Sequence, residues 1–106
     1  MTAPAWADGA DIEDEGTPDE YRVHWTLPTR VPGVRTYEGQ AEATAEVTRE
    51  LAEFADGHTD FHTGPFVVLE VPTDSSRRAL LTPEVAEALG SALIEHGQAL
   101  RASAAR

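Results

Sequence analysis

Between Gly64-Pro65 and Pro72 the chain runs Phe66-Val67-Val68-Leu69-Glu70-Val71. A strand sends successive side chains to opposite faces, and here both faces are apolar apart from Glu70. That composition belongs to a central strand, covered on both sides. Proline cannot donate to a ladder, so Pro72 ends the run. The remaining elements have to be arranged around this strand.

Upstream, Tyr21, Val23, Trp25 and Leu27 alternate with Arg22, His24 and Thr26, the period of a half-buried strand. Pro28 stops it, and Pro28 to Gly39 reads as a loop with room for a short extended piece at Val34–Tyr37. Residues 40–56 read as a helix, with Ala43, Val47, Leu51, Phe54 and Ala55 on one face and Glu42, Glu46, Glu50 and Glu53 on another. Arg49 is spaced to pair with Glu46 and Glu53, and Gly57 suits the position just past a helix end. Thr73 to Arg77 form a polar turn, Arg78 to Leu81 a third strand, and the spacing predicts a hairpin from Phe66–Val71 into it. Thr82-Pro83-Glu84 then opens a terminal helix, through a cap, a proline at the first helical position and an acid at the positive dipole end. Its apolar stripe is Val85, Ala86, Leu89, Ala92, Leu93, His96 and Leu100.

The expected fold is α+β: a small β-α-β-β-α domain with a three-stranded mixed sheet and two helices on one face. Residues 20–103 form that domain, and residues 104–106 fray. Residues 1–19 are Ala, Gly, Pro and acid without apolar periodicity, which predicts a disordered acidic tail. Trp6 and Ile12 are its exceptions.

Charge narrows the function classes. The net charge is −11, with seven acids and no base in residues 1–20. The remainder holds twelve acids and eight arginines, a net of −4. Such a balance argues against direct nucleic-acid binding, which needs cations for the phosphates. A helix-turn-helix reading of Val85-Ala86-Glu87-Ala88-Leu89-Gly90 fails similarly, since no arginine lies between Arg78 and Arg101. The absence of cysteine removes disulfides, thiolate metal sites and a cysteine nucleophile, and fits a reducing cytoplasm. No run reaches the ~20 apolar residues of a membrane span, and the N-terminus lacks the pattern of a secretory signal. The chain has no Lys and no Asn while Ala and Arg are frequent, the codon bias of a GC-rich genome such as an actinobacterium or its phage.

Two candidate sites follow. Asp56, His58, Asp60 and His62 place four oxygen and nitrogen ligands within one short loop, a set zinc accepts, with His24 able to join if the loop folds back. As a structural reading the same stretch is a polar connector. Candidate partner-binding groups are Trp6 in the tail, the glutamates Glu42, Glu46, Glu50 and Glu53, and the face of the terminal helix that carries Gly90, Ile94 and Gly97. His96 lies in the apolar stripe without a nucleophile or paired carboxylate near it in sequence, and reads as a packed histidine whose tip reaches a polar group. Ser75-Ser76 reads as turn chemistry.

Val68 to Val71, then Leu80-Leu81-Thr82-Pro83-Glu84-Val85-Ala86 through Leu89 and Leu93, resemble a pattern in small actinobacterial and actinophage proteins of unassigned function. That resemblance implies a small α+β domain. Some of those proteins carry Cys or His metal ligands near the N-terminus, and the lack of Cys here leaves that feature without a counterpart. The expected function is a non-enzymatic protein-interaction or regulatory module, cytoplasmic, without a cofactor. Its expected partner is a basic protein, or a second copy meeting through the terminal helix. The alternative is a metal-dependent or small-molecule-acting enzyme built on His58 and His62.

Overall fold

The computed structural model describes residues 3–36, 42–72 and 79–104. Ser75-Ser76, the Thr73–Arg77 turn and Tyr37 lie outside the described residues. Described elements run β1 (Gly9–Glu13), β2 (Tyr21–Trp25), β3 (Thr29–Thr36), β4 (Glu42–Phe54), β5 (Phe66–Glu70), β6 (Ala79–Leu80) and α1 (Pro83–Ala104).

The expected β-α-β-β-α order is overturned. Among the described residues six strands form one sheet, every pairing is antiparallel, and α1 is the only helix. The segment read as a first helix is β4, a strand of 13 residues. Its sequence alternates strictly, with Glu42, Thr44, Glu46, Thr48 and Glu50 on one face and Ala43, Ala45, Val47, Arg49 and Leu51 on the other. Tyr21–Trp25 of β2 lie against Phe54–Glu50 on one edge of β4, and Thr29–Arg35 of β3 continue along the same strand against Val47–Glu42. Between them Leu27 and Pro28 bulge, while Thr26 holds the register. Its N–H donates to the Arg49 carbonyl (3.1 Å), and the Arg49 N–H donates to Thr26 Oγ1 (2.9 Å).

Among the described residues the expected hairpin between Phe66–Val71 and Arg78–Leu81 is not formed. β5 pairs with the other edge of β4, and β6 pairs with β3. The tail is not wholly disordered: β1 pairs with β2, setting Gly9 opposite Trp25 and Glu13 opposite Tyr21. Gly9 is required there, because a Cβ would stand 2.5 Å from the Trp25 ring. Gly57 serves a strand end, not a helix end. With φ +85° it closes the tight turn in which its N–H donates to the Phe54 carbonyl (2.8 Å).

α1 begins where the capping residues place it. The Thr82 hydroxyl accepts from the Val85 N–H (3.3 Å) and the Thr82 carbonyl from the Ala86 N–H (2.9 Å). The helix buries Leu89 and Ala92 against Val31, Val34, Ala45 and Val47, with Val67, Val71, Val85 and Leu93 half-buried around them. His96 is buried in the same layer, and Nε2 shares a hydrogen bond with Thr29 Oγ1 (2.8 Å). Burial pushes its imidazole below the ordinary range, and the Arg49 cation adds to the effect.

The helix covers only part of its sheet face, and the N-terminal segment covers more. Trp6 and Ala5 line a hollow with Ala99, Ala102 and Ser103 at the helix end, and the Trp6 ring lies 5.7 Å from the Arg49 guanidinium carbon. Asp8 ties the segment down. Its N–H donates to the Trp25 carbonyl (2.9 Å), and its Oδ2 accepts from the Leu27 N–H (2.7 Å). Beyond the helix, His24 is 1% exposed on this face, with Nε2 2.7 Å from Glu53 Oε1.

Candidate partner-binding face

The opposite face of the sheet is built from the complementary set of side chains. Registers across β1, β2, β4 and β5 give its rows. Tyr21 stands opposite Phe54, Val23 opposite Ala52, and Trp25 opposite Glu50, which in turn faces Phe66. Further along, Thr48 faces Val68, then Arg30, Glu46 and Glu70 form one row, and Arg35 faces Glu42. Among the described residues no helix packs on this face.

Its two halves differ in chemistry. One half is aromatic and aliphatic: Tyr21, Val23, Trp25, Ala52, Phe54 and Phe66. All are half-buried except Phe66, which is 47% exposed. At its margin Tyr21, Ala52, Phe54, His62 and Thr63 line a concavity of about 290 Å³. The Ala52 N–H donates to the Thr63 carbonyl (2.8 Å), which carries the neighbouring loop alongside β4. The other half is acidic. Glu42, Glu46, Glu50 and Glu70 share it with Arg30 and Arg35, which reach Glu46 Oε1 (3.1 Å) and Glu42 Oε1 (3.3 Å). Such solvated pairs contribute about 0–1 kcal/mol each, so they leave the face available for other cations.

Glu42, Glu46 and Glu50 are thus brought together as the sequence spacing suggests, but by a strand and not by a helix. Glu53 is not among them. Its odd position turns it to the helix side, beside His24. Trp6 is half-buried against Arg49 and the helix end, not presented on a free tail. Ile94 is 62% exposed on α1, and a Cβ on Gly90 or Gly97 would meet nothing within 4 Å among the described residues. These glycines therefore accommodate no close approach by any described residue.

The Asp56, His58, Asp60, His62 segment repeats one local motif. The His58 N–H donates to Asp56 Oδ1 (3.0 Å) and the His62 N–H to Asp60 Oδ1 (2.8 Å), two Asx turns in succession. His58 Nδ1 also contacts Asp56, whose carboxyl is held below its usual range first by the backbone N–H of His58. His58 stacks on Phe54 and His62 tilts against Phe61, so each imidazole packs on its own neighbour. Among the described residues no three His, Asp or Glu side chains are grouped to hold a metal ion.

Sequence reading missed the aromatic half of the face. Tyr21 and Trp25 were visible as one face of a strand, but Phe54 joins them only when residues 42–54 are read at period two. Comparison with protein-family models, curated proteins and solved structures finds no match. No helix among the described residues is long and apolar enough to cross a membrane.

Proposed function

We propose that this protein is a non-enzymatic interaction module that docks a basic protein partner on its open sheet face. The observation that carries this reading is the division of that face. An aromatic half supplies the desolvated contacts that dominate binding energy, and an adjacent glutamate half selects cations. A sheet covered by a helix on one face, and on the other by no helix among the described residues, leaves apolar surface that a partner removes from water. The overall acidity accelerates encounter with a basic surface, an effect that salt weakens.

The test is affinity capture from the native host with the full chain, followed by rebinding of each captured protein in purified form. The partner is basic, and its affinity falls with rising salt. The double substitution Glu46→Gln/Glu50→Gln weakens it, while circular dichroism shows the fold unchanged. A partner whose affinity ignores both salt and these substitutions refutes the reading.

A further inference from the structure

β5 has the composition of a central strand and the position of an edge strand. Phe66, Val67, Val68 and Leu69 offer apolar side chains to both faces, yet β5 pairs only with β4 among the described residues. The consequence is visible in exposure. Phe66 on the open face is 47% exposed and Leu69 on the helix face is 46% exposed. Edge strands ordinarily carry charges, prolines or bulges that discourage further pairing. Here Pro65 and Pro72 bracket the strand and Glu70 closes it, so the apolar stretch between them is left as a short pairing template.

Resting on the docking-module reading above, we infer that the missing neighbour of β5 is an extended segment of the partner, alternating basic and aliphatic residues, added as a further strand. The alternation follows from the two faces. On the helix side, aliphatic side chains cover Leu69 and Val67 and extend the layer under α1. On the open side, charge sets the choice. The row across the sheet reads Arg30, Glu46, Glu70, with Arg30 already bonded to Glu46 at 3.1 Å. Glu46 and Glu70 stand directly opposite each other, an unfavourable like-charge pair. A cation on the next strand beside Glu70 continues the row with alternating sign. Glu50, opposite Phe66 on β4, adds a second acid to the same face. A second copy of this chain fits poorly, because each copy brings a charge of −11 and β5 itself has no cation to offer. Main-chain bonds supply affinity in such strand addition, and the side-chain alternation supplies specificity.

A synthetic peptide of sequence Arg-Val-Arg-Val-Arg-Val, capped at both ends, tests this. Its controls are a Glu-Val repeat and the Arg-Val peptide with all amides N-methylated. Binding is followed by NMR of the full chain, with hydrogen exchange of the β5 amides. The Arg-Val peptide should slow exchange along Phe66–Glu70. The Glu-Val repeat should not bind, and N-methylation should weaken binding at least ~10-fold through lost main-chain bonds. Glu70→Arg should weaken it roughly 3-fold, in the range of a solvated ion pair, with the spectrum otherwise that of the folded protein. Three results overturn the inference. One is an N-methylated peptide that binds equally, with shifts confined to Trp25 and Phe54; that outcome leaves the open-face reading standing. The second is no binding by the Arg-Val peptide. The third is a dimer by light scattering whose β5 amides are protected without peptide, which makes a second copy the occupant. The open-face reading fails separately, if capture ignores Glu46→Gln/Glu50→Gln.

Discussion

Removing the Trp6 indole should cost this domain about 3 kcal/mol, although Trp6 lies in a segment whose composition resembles a solvated tail. A buried aromatic removes about 150–250 Å² from water, and a half-buried one roughly half of that. At about 25 cal/mol per Å² the loss in Trp6→Ala is ~2.5 kcal/mol. The cation–π contact with Arg49, at 5.7 Å, adds ~0.5–1 kcal/mol. Arg49 Nε is buried without a hydrogen-bond partner among the described residues, so its environment depends on what lies over it. For a domain of this size ~3 kcal/mol lowers Tm by roughly 15 °C. Urea melts followed by far-UV circular dichroism at several temperatures measure the change without relying on the deleted fluorophore. Trp6→Phe should recover most of it, and a Trp6→Ala/Arg49→Ala cycle should return a coupling of ~0.5–1 kcal/mol. A loss below ~0.5 kcal/mol for Trp6→Ala would refute the argument and return residues 3–8 to the status of a tail.

Gly9→Ala should destabilise by ~1–3 kcal/mol, since the new methyl meets the Trp25 ring at 2.5 Å, whereas Gly90→Ala on α1 should stabilise by up to ~1 kcal/mol because no described residue lies within 4 Å of the new methyl; paired urea melts check both signs. Burial and Arg49 favour neutral His96, so the folded state protonates it at lower pH than the unfolded chain does. Its contribution is therefore complete above the ordinary imidazole pKa of about 6.5 and is lost as pH falls from there through the folded value, a slope that stability measurements between pH 5 and 7 should show reduced in His96→Gln. Ile94→Glu should leave stability within ~0.5 kcal/mol, since the side chain is 62% exposed; any loss of self-association by light scattering would then report the helix face directly.

The terminal helix was legible because its signals are local. Thr82, Pro83 and Glu84 act on the first turn, and the stripe from Val85 to His96 needs only one packing face. β4 was not, because a four-residue spacing satisfies two periods at once. Glu42, Glu46 and Glu50 fall on one side of a strand and also on one side of a helix. Ala and Glu favour a helix locally, and pairing on both edges of β4 outweighs that preference. Thr44 and Thr48, β-branched and in phase with the glutamates, were the available sign of a strand. Glu53 was the misleading residue, since it joins the glutamates only on a helix. β1 left almost no trace, because four of its five residues are exposed and main-chain bonds hold it to β2. The metal-like spacing of Asp56, His58, Asp60 and His62 coincides with two Asx turns, in which each aspartate is engaged by the backbone two residues on.

Thr48→Ala separates the two descriptions of residues 42–54 by sign alone. On a helix Thr48 would be a poor former, and alanine would stabilise by up to ~0.7 kcal/mol. In β4 Thr48 faces Val68 across the ladder on the open side of the sheet. Alanine there loses a β-branched cross-strand contact and should destabilise by up to ~1 kcal/mol. Val47→Ala, one residue away but fully buried against α1, should cost about 2 kcal/mol in either description and calibrates the assay. The same pair tests the division of labour between faces. Val47→Ala should lower stability without changing partner affinity at temperatures where the protein remains folded, because the side chain has no access to the open face. Thr48→Lys should do the reverse: it sits between Glu46 and Glu50, offers a cation where the partner's is expected, and should weaken binding of a basic partner while the domain stays folded. A Thr48→Lys protein that binds as tightly as the wild type would place the partner elsewhere on the molecule.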